Sequence, residues 1–283
     1  MNKQSAIKFL NENSGYLKKS ASYLADKLNI SELLAKEVLA IAKNKKVAQN
    51  ASNSVLKPFT KGESRVLVIS DTHEPFCRKG YLEFCQKVAK EYKTNQVVHI
   101  GDEVDLCALS QWEKDPDGLS AGSEFELALT AMKKWYKAFP EVKVCIGNHS
   151  ERMFRLARTI GIPKRFLKTY EDIWEAPKGW KWNTSWEIDG ALYLHGTGMT
   201  GPNAAITKAQ MLRQNVCIGH IHTEAGVKFS ASSKDLVWGM QVGGAIDDKA
   251  YAFAYAKEHL KKSIVGCAVV INGKLPIYIP MNL

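Results

Sequence analysis

No run of about 18 consecutive apolar residues occurs anywhere in the 283-residue chain, which excludes a helical membrane span on length alone. The first fifteen residues, MNKQSAIKFLNENSG, also lack the apolar core of a secretory signal, so a cytoplasmic location is expected. Cysteine is present without organisation. Cys77, Cys85, Cys107, Cys145, Cys217 and Cys267 form no CxxC pair, which argues against a disulfide framework or a thiolate metal site. Cys145 and Cys217 sit inside apolar runs, where a reduced cysteine acts as a small hydrophobe. Acidic residues are scarce at one end. Residues 1–65 hold twelve Lys or Arg against five Asp or Glu, a net +7, and the remaining residues carry only +3 of the formal +10. A basic segment of this kind suits a polyanionic partner, or serves solubility alone.

What is present is an ordinary globular composition, 45% hydrophobic and 24% charged, long enough to bury a full core. The segment 66–73, VLVISDTH, runs from aliphatic residues straight into Asp71 and His73. It reads as a buried parallel strand delivering polar side chains to a sheet edge. On a continuing strand, residues two apart face the same side, as two ligands of one ion must. The pattern recurs four times: VVHIGD ends at Asp102, VKVCIGNH at Asn148 and His149, LYLH at His195, and VCIGHIH at His220 and His222. In open α/β sheets the carboxyl ends of strands line the ligand crevice, so five such ends converge. His99, His259, Asp115 and Asp117 have no partner spacing and read as structural.

Between these runs lie helical patterns at 79–92, 123–139, 151–158 and 203–214, a βαβ alternation that predicts a mainly parallel, helix-covered sheet. Near the end, two apolar runs flank Asn272-Gly273, a two-residue hairpin signal. With GVKFSAS and LVWGMQVGG they suggest a separate antiparallel sheet in the tail. Residues 1–48 form a small basic helical domain, 49–64 a polar linker, and 65–283 the main domain. Within the first, SYLADKLNISELLAKEVL resembles a helix-turn-helix, with Ser31 capping a second helix that runs to about Lys43. That second helix offers Ser31, Glu32, Lys36 and Glu37 but none of the Arg, Asn or Gln side chains that read base edges. It therefore suits backbone-level nucleic-acid binding or a protein contact.

Seven Lewis bases, Asp71, His73, Asp102, Asn148, His195, His220 and His222, are two carboxylates, four imidazoles and an amide. Such a set suits manganese, iron, zinc or nickel rather than calcium, and exceeds what one tetrahedral ion can use. In order, DTH, GDEVD, GNHSE, HG and GHIH resemble the five-motif signature of the calcineurin-like metallophosphoesterases. The resemblance implies a four-layer α/β/β/α sandwich of mixed sheets and two divalent metal ions, manganese first among the candidates. It places Asp71, His73 and His222 on one ion, Asn148, His195 and His220 on the other, and Asp102 between them. It makes His149 the residue that contacts phosphate and protonates the leaving oxygen, with Asp105 orienting it. Leu106 stands where many members have arginine, and Ser150 where an acid is commoner.

The implied activity is hydrolysis of phosphate esters by metal-bound hydroxide. The insert between GNH and His195 bears on the substrate. Arg152, Arg155 and Arg158 recur at three-residue steps on one helical face, with Arg152 and Arg155 as candidate substrate-binding residues. Further on, Lys164, Arg165 and Lys168 interleave with Phe166, Tyr170, Trp174, Trp180, Trp182 and Trp186. This composition fits a single-stranded nucleic-acid groove, or a tryptophan core with paired arginines. The expectation is a phosphodiesterase or nuclease. The alternatives are a phosphomonoesterase and a non-catalytic nucleic-acid-binding protein.

Overall fold

The computed structural model describes residues 1–53, 62–111, 116–247 and 261–282, and the chain divides into two compact units, Met1–Thr60 and Lys61–Leu283. In the first, helices α1 (Lys3–Glu12), α2 (Ala21–Leu28) and α3 (Glu32–Asn53) share a core that includes Leu10, Leu24, Leu28, Ala35 and Val38. Side-chain caps set their starts. Asn2 accepts from the Ser5 N–H at 2.9 Å, and Ser20 and Ser31 accept from Tyr23 and Leu34 at 3.2 Å, each satisfying an amide that a first turn leaves open. Asn29 ends α2 at φ 50°, in the left-handed region that asparagine tolerates. Helix α3 runs well past Lys43, because 44–53 holds no Pro or Gly and polarity alone does not stop a helix. The rest of the expected linker, over 54–61, lies outside the described residues, as do Asp115 and His259.

The second unit continues with β1 (Arg65–Ile69), α4 (Tyr81–Glu91), β2 (Gln96–His99), α5 (Ala121–Ala138), β3 (Val142–Cys145), α6 (Arg152–Thr159), α7 (Tyr170–Ile173) and β4 (Trp180–Asn183). There follow β5 (Ser185–Ile188), β6 (Ala191–Leu194), α8 (Ala204–Leu212), β7 (Asn215–Ile218), β8 (Ala225–Ala231), β9 (Leu236–Val242), β10 (Gly266–Ile271) and β11 (Leu275–Pro280). They form two mixed sheets, in the orders β11-β10-β1-β2-β3-β4 and β5-β6-β7-β9-β8.

Side-chain parity makes the layers. Leu67, Ile69, Cys267 and Val269 pack with Tyr81, Cys85 and Trp135 from α4 and α5, while their neighbours Val66, Val68, Ala268 and Val270 meet Tyr193, Cys217 and Met240 of the other sheet. On the far side, Val216, Ile218 and Val237 pack under Ala205 and Ala209 of α8. Alternate residues of one strand thus enter different cores. The result is helices, sheet, sheet, helix, the four-layer α/β sandwich expected.

The tail is divided between the sheets rather than forming one of its own. β8 and β9 pair antiparallel in the second sheet, whereas β10 lies antiparallel to β1, with Val66 opposite Val270. All six residues of β10 are buried, so it requires a site covered on both faces. Asn272 and Gly273 turn the hairpin at φ 51° and 64°, with three residues between the paired Ile271 and Leu275, one more than the dipeptide implies.

Two of the insert tryptophans are core and two pack part-buried against it. Trp174 and Trp180 are buried, and Trp182 and Trp186 donate their indole N–H groups to Glu103 Oε1 at 3.0 Å and to the Val144 carbonyl at 2.9 Å. The nucleic-acid groove expected of these rings therefore does not exist in that form. Two short strands, β4 and β5, carry three of the rings. Replacing Trp180 with Ala should destabilise the second unit by about 3–5 kcal/mol, read by urea unfolding; a loss under 1 kcal/mol would mean that this ring does not hold the layers together.

Candidate metal centre

Every expected strand end reaches one edge, but not by the route its spacing suggests. β1 stops at Ile69, and Asp71 and His73 lie beyond it at φ 45° and 47°. Asp102 and His220 follow β2 and β7 at φ 50° and 66°. Four non-glycine residues in the left-handed region at one edge concentrate backbone strain where function is usually found. Hydrogen bonds between turns hold them there. The Asp71 and His73 N–H groups donate to the Gly101 and Asp102 carbonyls at 3.2 and 2.9 Å, and Ala245 donates to the Asp71 carbonyl at 3.0 Å. The His220 N–H donates to both Asp71 oxygens at 3.1 Å, and the His149 N–H to Asp102 Oδ1 at 2.8 Å.

Three groups of side chains bring ligand atoms within 4.8 Å of one another: Asp71 with His73 and His222, Asp102 with His195 and His220, and His73 with Asp105 and His149. Asn148 Oδ1 joins the second group, 2.9 Å from His195 Nε2, which also lies 3.0 Å from Asp102 Oδ2. Asp102 falls in that group only, not with Asp71 and His73. The His195 Nδ1–H donates to the Ile100 carbonyl at 3.0 Å, the outward bond that fixes the orientation of a metal-binding imidazole. Two glycines permit the approach. A Cβ at Gly147 would overlap the Asp102 carboxylate, and one at Gly219 the Asp71 carboxylate.

The charge balance also favours cations. Burial opposes ionisation of Asp71, but the hydrogen bond from His222 and the charges of His222 and His195 outweigh it and bring its pKa down to about 2. Asp102 is likewise buried, yet held well below the carboxylate range by His195 and His149. Burial disfavours a proton on His195, and Asp102 reverses this, lifting its pKa to about 9. Burial and neighbouring imidazoles push His73 and His220 down. Two buried carboxylates thus draw positive charge from imidazoles. Divalent ions would supply the same charge, and the oxygen and nitrogen donors fit such ions.

Beside this lies a second arrangement. His149 Nδ1 is 2.5 Å from Asp105 Oδ1, and the Arg152 guanidinium donates to the Asp105 carbonyl at 2.9 Å and to Oδ1 at 3.2 Å. Arg152 Nη2 also stands 3.4 Å from His149 Nε2. Arg155 donates to the Asn148 carbonyl at 3.2 Å, and Arg158 pairs with Glu151 at 3.0 Å. Glu103 is a residue that sequence reasoning missed. Fully buried, it accepts from Ser150 Oγ at 2.7 Å and from Trp182, and burial raises its pKa. The carboxylate absent at position 150 is thus supplied from position 103, joining the turn after β2 to the turn after β3. His99, read as structural, is buried against Thr72 Oγ1 at 3.0 Å, and burial brings its pKa down to about 4.

The calcineurin-like phosphoesterase family profile matches residues 64–232, more than half of the chain. The chain belongs to the calcineurin-like phosphoesterases. No curated protein sequence matches this family member. Among solved structures, Vacuolar Protein Sorting 29 of Cryptosporidium parvum is similar at 12% identity, covering 78% of this chain and 99% of its own, with a TM-score of 0.39. A conserved uncharacterized protein of Streptococcus pneumoniae, described as a predicted phosphoesterase, is 13% identical over 78% of this chain and 100% of its own, with a TM-score of 0.32. The nuclease MPE of Pseudomonas putida is 12% identical over 76% and 87%, with a TM-score of 0.31. Among the described residues of this phosphoesterase family member, no helix is long and apolar enough to cross a membrane.

The pKa of His195 gives the metal-free protein a characteristic pH response. Below the ordinary imidazole value of 6.5, the proton is present folded and unfolded, and the pairing with Asp102 contributes fully; as pH rises through about 9 it is lost. Thermal unfolding of metal-stripped protein should therefore show stability falling across that window. Added manganese should reverse the trend, because a ligand imidazole must be deprotonated. A flat profile without metal, or one unchanged by His195→Gln, would contradict this pairing.

Proposed function

We propose that this chain is a dinuclear metal-dependent phosphoesterase acting on phosphodiesters of nucleic acid. Asp71, His73 and His222 would hold one divalent ion and Asn148, His195 and His220 the other, with Asp102, which lies in the second group, proposed to serve both. Manganese is the first candidate, with iron, zinc or nickel compatible with the same donors. The observation that carries the reading is the meeting of two complete donor groups beside a clamped histidine. Bound there, the ions would supply Lewis-acid polarisation of phosphoryl oxygens and lower the pKa of a water.

The chain's own residues supply orientation and a proton path. Asp105 engages His149 through Nδ1; Nε2, which accepts from Arg152 in this structure, would exchange that contact for a proton to give to the leaving oxygen. Arg152, braced by Asp105 and adjacent to Nε2, presents positive charge for the phosphate. Arg155 secures the Asn148 turn from the same helix face. The polynucleotide assignment is supported by the basic excess of residues 1–65. The three capped helices there are proposed as a helix-turn-helix-like element that holds the nucleic-acid backbone rather than reading its sequence.

With manganese, the protein should hydrolyse bis-p-nitrophenyl phosphate. His149→Ala should lower kcat by about 10²–10⁴-fold while metal content stays the same. Monoester turnover without diester turnover would redirect the assignment to a phosphomonoesterase, and His149→Ala with full function would point to a non-catalytic binding protein. Deleting residues 1–60 should weaken binding to DNA or RNA and flatten its salt dependence. Unchanged affinity would instead indicate a protein-docking role for the helices.

A further inference from the structure

We infer that residues 160–168, the loop following α6, form a docking surface for single-stranded nucleic acid on the metal-centre unit. The inference rests on the proposed function in taking the phosphate ester to be part of a polynucleotide. Most of the basic and aromatic residues of the insert are engaged elsewhere. Arg152, Arg155 and Arg158 bond to Asp105, Asn148 and Glu151, and the tryptophans are built into the fold.

The loop is different. Phe166 is 74% and Ile160 73% exposed, and Lys164, Arg165 and Lys168 are exposed with no ion pair or side-chain hydrogen bond among the described residues. The Arg165 guanidinium lies 5.9 Å from the Phe166 ring centre. An accessible π-face next to a cation, with two further unpaired cations alongside, supplies both things a single strand needs: a platform for a base and charge for its phosphates. Double-stranded partners do not fit as well, because a base must leave its stack to lie on Phe166.

Placement argues the same way. Helix α6 begins at Arg152, within reach of His149, and its eight residues span about 12 Å before the loop starts. A strand with one phosphate at the metal centre would therefore run along α6, and a nucleotide further down the strand, not the adjacent one, would lie on Phe166. A membrane surface is the competing partner for exposed apolar and basic residues, but it is served by an amphipathic helix. This segment has only a single 3-10 turn, Lys164–Phe166, between extended residues.

The test compares full-length wild type with Phe166→Ala and with a combined Lys164→Ala, Arg165→Ala and Lys168→Ala variant. Affinity for a fluorescein-labelled oligodeoxythymidine is read by anisotropy across a salt series, beside turnover of bis-p-nitrophenyl phosphate and sedimentation with phosphatidylserine vesicles. Small-ester turnover should be unchanged in both variants. Phe166→Ala should weaken oligonucleotide binding by about 5- to 100-fold, and the triple variant should reduce the salt slope by about 2. Variants that bind the oligonucleotide as wild type does overturn the inference, and if the strand is still cleaved the proposed function stands. Loop-dependent binding by a protein that hydrolyses no ester with any metal removes the proposed function and leaves the surface. A wild type that ignores the oligonucleotide, whether or not it sediments with vesicles through this loop, overturns the surface.

Discussion

Two carboxylates, Asp71 and Asp102, are buried at one edge of the two sheets, and a buried carboxylate persists as an anion only where positive charge and hydrogen-bond donors surround it. Much of the second unit can be understood from that requirement. The central strands β1 and β10 are buried along their whole length, and the two acids lie where strands end. The turns at those ends interlock through backbone amides, which places His195 and His222 where their charge offsets the two acids. Glycine at 147 and 219 is then a consequence of how closely the turns approach.

This dependence explains which features could be seen in the chain before its fold. The apolar runs were legible because parity buries every residue of β1, and a continuous aliphatic segment followed by Asp or His has few other meanings. The interleaving of Gly with Asp, Asn and His was legible for the same reason. The conformation delivering the side chains was not. Asp71 and His73 sit in left-handed turns rather than on an extended strand, and no periodicity announces a positive φ.

Other elements were obscured by composition. β4 and β5, WKWN and SWEI, mix tryptophan with charged and polar residues, so they resemble a binding groove as much as an edge strand. The destination of β10 was hidden because local sequence specifies a hairpin but not which sheet receives it; only its complete burial in the first sheet settles that. In the first unit, α3 outruns its expected end because polar helix-forming residues continue a helix without declaring it.

The bond between Glu103 and Ser150 also fixes what each of the two positions can carry. An acid at position 150 would set a second carboxylate against the buried Glu103, and an aliphatic residue at 103 would strand the Ser150 hydroxyl and the Trp182 indole. One hydrogen bond thus ties together two turns whose residues are 47 positions apart.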